Sequence, residues 1–87
     1  MQKAKEFLNL LVTSLVEFPD DVRIDGRTDE MGVLLTLHVA KEDMGKIIGK
    51  EGNTAKSIRT LLRVVGMKEN ARINLKIDEP ETVYKTY

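Results

Sequence analysis

The chain contains no cysteine and no tryptophan, and it has only two prolines, two phenylalanines, two tyrosines and a single histidine. Without cysteine there is neither a disulfide framework nor a thiolate metal site. His38 has no second histidine with which to share a metal ion, and no motif sets a serine or cysteine nucleophile beside it. It reads as a strand residue on the open face of a sheet, and neither a catalytic site nor a cofactor is expected. No apolar run approaches the roughly 20 residues needed to cross a bilayer. The opening Met1-Gln2-Lys3-Ala4-Lys5-Glu6 is charged and precedes no small-residue cleavage site, so a cytoplasmic protein without a membrane partner is expected.

Net charge is missing too, since 14 basic and 14 acidic residues cancel. Their distribution is polarised. Lys46 to Arg63 carries Lys46, Lys50, Lys56, Arg59 and Arg63 against Glu51, while Glu17 to Gly32 carries six acids against Arg23 and Arg27. A neutral protein with one basic segment should bind a polyanion locally rather than stick to it generally. The alternative reading of that segment is the solvated face of a helix.

Eighty-seven residues allow one domain with a core just large enough to fold. We assign it to residues 1–79, with 80–87 as a short tail beyond the break at Pro80 that carries Tyr84 and Tyr87. Ala4, Phe7, Leu8, Leu11, Val12 and Leu15 recur at helical spacing, and Phe18-Pro19 ends that helix. Val22 to Asp25 alternates, Gly26 to Gly32 is rich in turn residues, and Val33, Leu35, Leu37 and Val39 then fall on one face of a strand. The pair reads as an antiparallel hairpin covered on one side. Lys41 to Ile48 is a short helix and Asn53 to Val65 a longer one with Gly66 as its stop. Ala71, Ile73, Leu75 and Ile77 alternate in a third strand. This is an α+β domain with three strands and helices on one face.

The two inner helices meet at Gly49-Lys50-Glu51-Gly52, a turn bounded by residues that accept positive φ and let another backbone approach. Asn53 is of a favoured N-cap type, and the first helical turn, Thr54 to Ser57, holds Lys56 but no carboxylate. Outward-facing amides, a positive helix end, Lys50 and Lys56 make a site for an anion, phosphate above all, which Glu51 partly opposes. Ala55, Ile58, Leu61, Leu62 and Val65 make the buried stripe of that helix, and Lys56, Arg59 and Arg63 continue the basic row along another side. Val64 and part of the Leu61-Leu62 pair exceed what a small sheet needs as cover, which reads either as a candidate self-association face or as a slightly wide core stripe.

The run Ile47-Ile48-Gly49-Lys50-Glu51-Gly52-Asn53-Thr54-Ala55-Lys56-Ser57-Ile58 resembles the Ile-Gly-x-x-Gly signature of KH domains. The likeness covers nearly the whole chain and is greatest to the small bacterial single-domain KH proteins of the KhpA type. The resemblance implies the type II KH order, helix-strand-strand-helix-helix-strand. It implies a non-catalytic protein that grips single-stranded RNA with Gly49, Lys50, Glu51 and Gly52, as a post-transcriptional regulator or RNA chaperone. It also implies a homodimer or a second KH-containing partner, and no small-molecule substrate. The residues expected to meet RNA are Gly45, Lys46, Ile48, Asn53, Thr54, Ala55, Lys56, Arg59 and Arg63 beside those four, with Arg72 and Asn74 on the third strand reaching base edges. Ile58 lies on the same apolar stripe and reads as core more than as ligand contact. The alternative function is a KH-fold interaction module that holds a partner protein. A P-loop enzyme is disfavoured, because three residues rather than four separate Gly45 from Gly49 and Glu51 follows Lys50 where a Ser or Thr is required.

Overall fold

The computed structural model describes residues 2–78. The expected break at Pro80 and the tail with Tyr84 and Tyr87 lie outside the described residues. In chain order the elements are α1 (Gln2–Leu15), β1 (Arg23–Asp29), β2 (Gly32–His38), α2 (Met44–Ile48), α3 (Asn53–Lys68) and β3 (Ile73–Ile77). Single 3-10 turns occupy Pro19–Asp21, Lys41–Asp43 and Lys50–Gly52. This is the helix-strand-strand-helix-helix-strand order of a type II KH domain.

The core forms where the three periodicities meet. Ala4, Leu8 and Val12 make the buried stripe of α1, Val33, Leu35 and Leu37 the inner face of β2, and Ala55, Ile58 and Leu62 the inner stripe of α3. Ile47 of α2 and Leu75 of β3 close it, with Phe7, Leu11 and Val39 packed at its margin. Each Leu or Ile taken fully from water contributes roughly 1.5–3 kcal/mol. Such burial decides the path of α2, whose five residues are too few to form a stable helix alone.

β2 is central. β1 pairs with it antiparallel, from Arg23 opposite His38 to Asp29 opposite Gly32, and β3 pairs with it parallel, from Val33 opposite Ile73 to Leu37 opposite Ile77. A parallel neighbour needs a long crossover, and α2 and α3 supply it, which is why both lie between β2 and β3 in the chain.

Three expectations change. The hairpin turn is much shorter than Gly26 to Gly32: β1 runs to Asp29 and only Glu30 and Met31 cross over, with the Met31 amide donating to Asp29 Oδ1 at 2.8 Å. The second half of β1, Gly26 to Asp29, was hidden because the strand is an edge that buries only Ile24 and shows no alternation past Asp25. Gly66 does not stop α3, which continues to Lys68. The stop is a Schellman arrangement one turn later. Asn70 takes φ 58°, its amide donates to the Met67 carbonyl at 3.3 Å, and the Ala71 amide donates to the Gly66 carbonyl at 2.8 Å. Finally, Asn53 is the first helical residue of α3 rather than its cap, a place Gly52 takes in the left-handed region.

Gly66 is in place because the returning chain passes close by it. A Cβ there would lie 2.5 Å from the Ala71 carbonyl oxygen and 3.2 Å from the Ile73 side chain. Replacing Gly66 with Ala gains about 0.5–1 kcal/mol of helix propensity, but overpacking costs typically 1–3 kcal/mol. Gly66→Ala is therefore expected to lower the urea unfolding free energy despite sitting in a helix. An increase would show that β3 does not press on α3 as described.

Candidate nucleic-acid interface

The turn between α2 and α3 lies at the surface, with Lys50 and Glu51 exposed and Gly49 and Gly52 half-buried. Gly49 adopts φ 76° and ψ 177°, a region closed to residues with a Cβ, and a Cβ there would collide with the Thr54 side chain. Glu51, at φ 56° and ψ 27°, and Gly52, at φ 79° and ψ 8°, are both left-handed. Holding a non-glycine residue left-handed costs about 1–2 kcal/mol. The conformation is held by the turn's own hydrogen bonds. The Gly49 amide donates to the Gly45 carbonyl at 2.8 Å, the Gly52 amide to Gly49 at 3.2 Å, and the Asn53 amide to Lys50. The turn therefore offers fewer amides to a ligand than its sequence suggests. Those of Lys50 and Glu51 stay outside these bonds.

The beginning of α3 has no acidic residue in its first turn and no side-chain cap, so its positive end is opposed only in part, by Glu51 of the turn before it. Among the described residues, Lys50, Lys56, Arg59, Arg63 and Arg72 form no ion pair. Lys56 and Arg63 stand about 10 Å apart along the helix at 1.5 Å per residue. Arg59 turns towards β3, where its Nε lies 3.5 Å from the Leu75 carbonyl oxygen. Between α3 and β3 runs a shallow groove lined by Arg59, Leu62, Arg63, Ile73, Asn74 and Leu75, which widens past Met67 and Arg72.

Not all the expected site residues stand where the pattern put them. Gly45 is exposed, with nothing within 4 Å of the place a Cβ would occupy, and Ile48 and Thr54 are half-buried beside the turn. Asn53 is exposed at the head of α3. Ile58 is core at 2% exposure, as expected, and Ala55 is core as well, at 4%, and offers no surface to a base. Lys46 is exposed but engaged, 3.6 Å from Asp43 Oδ1 and 4.0 Å from Glu17 Oε1, so its charge is offset locally. Asn74 alternates with the inward Leu75 and pairs with Leu34, which places it on the sheet face away from the helices. It reaches the groove only at the strand edge.

The sheet order converts the charge asymmetry into a spatial one. The acidic segment 17–32 builds β1 and its flanks at one edge, while α3 packs along β3 at the other. His38 lies on the open face between two acids, with Nε2 3.0 Å from Asp25 Oδ2 and Nδ1 2.9 Å from Asp78 Oδ2, and it ties the ends of the three strands together.

Asp43 is the residue whose role the sequence concealed, because an acid near a helix start is ordinary. Here it is fully buried, and its two oxygens accept the backbone N–H of Glu17 and of Phe18, each at 3.0 Å. Burial, the largest influence, pushes its carboxyl up, but these two amides and the Lys46 ammonium outweigh it and hold the carboxyl below its ordinary value.

Comparison with known proteins agrees with this architecture. Residues 5–77 match the family model described as KhpA/KhpB, KH domain. The chain is 45% identical over 73 residues to the RNA-binding protein KhpA of Clostridium acetobutylicum, covering 84% of this chain and 97% of that protein. It is 48% identical over 75 residues to the RNA-binding protein KhpA of Chlamydia pneumoniae, covering 86% and 96%. With the RNA-binding protein KhpA of Listeria monocytogenes it shares 43% over 75 residues, covering 86% and 99%. Among solved structures, Aquifex aeolicus Era bound to GDP and AlF4− superposes with a TM-score of 0.63 at 19% identity, over 85% of this chain and 29% of that one. At that identity the likeness shows the fold alone.

A carboxyl held low in the folded state contributes stability that is present above its unfolded value of about 4 and fades as the pH falls through its folded value. Thermal melts of the wild type should thus lose midpoint steeply below about pH 4. Asp43→Asn should melt lower at neutral pH and follow a flatter acid limb. Parallel curves would mean that Asp43 is not charged in its buried place.

Proposed function

The chain belongs to the KhpA/KhpB KH-domain family, and from that premise we propose that it is a small, non-catalytic RNA-binding protein. In this reading the Gly49–Gly52 turn grips the backbone of single-stranded RNA. The observation that carries it is the head of α3: a helix start with no side-chain cap and no acid in its first turn, entered through a surface turn and followed by Lys56, Arg59 and Arg63, which form no ion pair among the described residues. The relatives' description as RNA-binding proteins supports the same ligand.

A backbone phosphate would approach the Lys50 and Glu51 amides and the positive end of α3, with Lys50 and Lys56 adding charge. Glycine at position 49 is required for the turn, and the open space over Gly45 lets a flat base lie against Ile48. Arg59 and Arg63 would carry the strand along the groove beside β3. Arg72 stands at its far end and Asn74 at its edge. No aromatic platform lines this path, so each site should bind weakly, and two linked sites would bind more tightly through avidity.

A second surface favours such pairing. Leu61 and Val64 are 44% and 56% exposed on α3. Leu61 is two residues from both Arg59 and Arg63, hence about 200° round the helix from each. A homodimer, or a complex with a second KH-containing protein, could cover this face and leave the basic row free. We place the protein in the cytoplasm, acting on RNA after transcription as a regulator or chaperone. A module that mainly holds a protein partner would use the same apolar face but would not need the turn.

Replacing Lys50 and Glu51 together by Asp sets two carboxylates where the phosphate would sit and keeps both glycines. This variant should keep the wild-type circular dichroism spectrum and lose retention of single-stranded RNA in a filter or mobility assay. Wild-type affinity should also fall as salt rises, with a slope of about −0.7 per phosphate neutralised. Undiminished binding by the folded variant, or affinity indifferent to salt, would leave the partner-holding role as the better account.

A further inference from the structure

The turn is carried by a helix too short to direct itself, and something must set its angle. α2 has five residues, about 7.5 Å at 1.5 Å per residue, and a segment of that length gains little from its own hydrogen bonds. One side is anchored by Ile47 in the core. Its N-terminal end is fixed by Asp43, the one buried charged side chain among the described residues. Each Asp43 oxygen takes one amide of the chain leaving α1: Oδ1 that of Glu17 and Oδ2 that of Phe18, both at 3.0 Å. Lys46, one turn on, brings its ammonium within 3.6 Å of Oδ1 and 4.0 Å of Glu17, so the brace continues into α2.

We propose that Asp43 is a positioning residue for RNA binding: it braces α2 against the connector after α1 and thereby sets the angle at which the Gly49–Gly52 turn meets the RNA backbone. The inference rests on the RNA-gripping role of that turn. It accounts for a carboxylate in a fully buried place. Here each of the two N–H groups meets its own carboxylate oxygen, and an amide side chain in the same pose would turn an NH2 donor towards one of them. It also gives Lys46 a task other than phosphate contact.

The brace makes a prediction opposite to that of charge alone. Asp43→Asn keeps the volume, removes a negative charge whose residue stands about 9 Å along the helix axis from Gly49 and releases Lys46 from its nearest partner. On electrostatics alone it should therefore bind RNA more tightly and with a steeper salt dependence. If Asp43 positions the turn, affinity for a fluorescent oligouridylate should instead fall roughly tenfold, the equivalent of about 1.4 kcal/mol. The salt slope should stay unchanged and the amide resonances of Gly49, Glu51 and Gly52 should shift.

The measurement is made at a temperature where circular dichroism shows the variant folded. Leu8→Ala, a core cavity in α1 that touches none of the hydrogen bonds to Asp43, serves as the control for lost stability and should keep wild-type affinity and turn resonances. Should Asp43→Asn fail to fold, Asp43→Ser, smaller and with one acceptor, takes its place with the same expectation. Unchanged or tighter binding with unmoved turn resonances overturns the inference, and so does an equal loss of affinity in Leu8→Ala. The Lys50 and Glu51 double variant, assayed alongside, separates the two levels. If it binds like the wild type, the reading of the turn itself has failed. If it loses RNA while the Asp43 variants keep it, only the brace has.

Discussion

Everything distinctive about this fold follows from forcing two helices to meet at a turn that most residues cannot make. Gly49 must be extended at positive φ, Glu51 must be left-handed, and Gly52 must be left-handed as well. Thr54 fills the space where a Cβ at position 49 would stand. That side chain and the turn's own hydrogen bonds hold the arrangement at a cost of about 1–2 kcal/mol for Glu51. The result is a helix start with no side-chain cap, exposed at a corner, and a main chain that a ligand can approach closely. Strain of this kind persists where surrounding structure over-determines it. Here the surroundings are Ile47 in the core and Asp43 at the root of α2.

The sheet contributes by separation. Because β3 joins β2 in parallel, the chain must cross over the core, and the crossover is the pair of helices that carries the turn. The same topology leaves β1 with its acids at one edge and places α3 with its cations along the other. A molecule of no net charge thus carries the acids of β1 along one edge and the cations of α3 along the other. Neutrality keeps general attraction low, so contact should depend on the turn and the row behind it.

Much of this was legible in the residues, and what was hidden was hidden for physical reasons. The alternation of Val33, Leu35 and Leu37 was plain because β2 is buried on one face along its whole length. β1 was cut short because an edge strand that buries only Ile24 shows no alternation past Asp25. Gly66 looked like a stop because its true reason, the passage of Ala71 and Ile73, belongs to a neighbour in space. Asn53 looked like a cap because its type is right, yet Gly52 had already taken the left-handed place before it. Within the candidate site the turn and the basic row of Lys56, Arg59 and Arg63 were readable locally. Asp43 was not, since its partner at Glu17 lies 26 residues away. Ala55 read both ways, as part of the buried stripe of α3 and as a small residue in a groove, and the core took it.

The account stands or falls on where a polynucleotide touches this surface. The direct measurement is a two-dimensional amide spectrum recorded while a short single-stranded RNA is titrated into the uniformly 15N-labelled protein. The account predicts that the first resonances to move are those of Gly49 to Thr54, followed by Lys56, Arg59 and Arg63, with the hairpin at Glu30 and Met31 unaffected. Movement confined to the open face of the sheet around Thr36 and His38, with the turn silent, would contradict it.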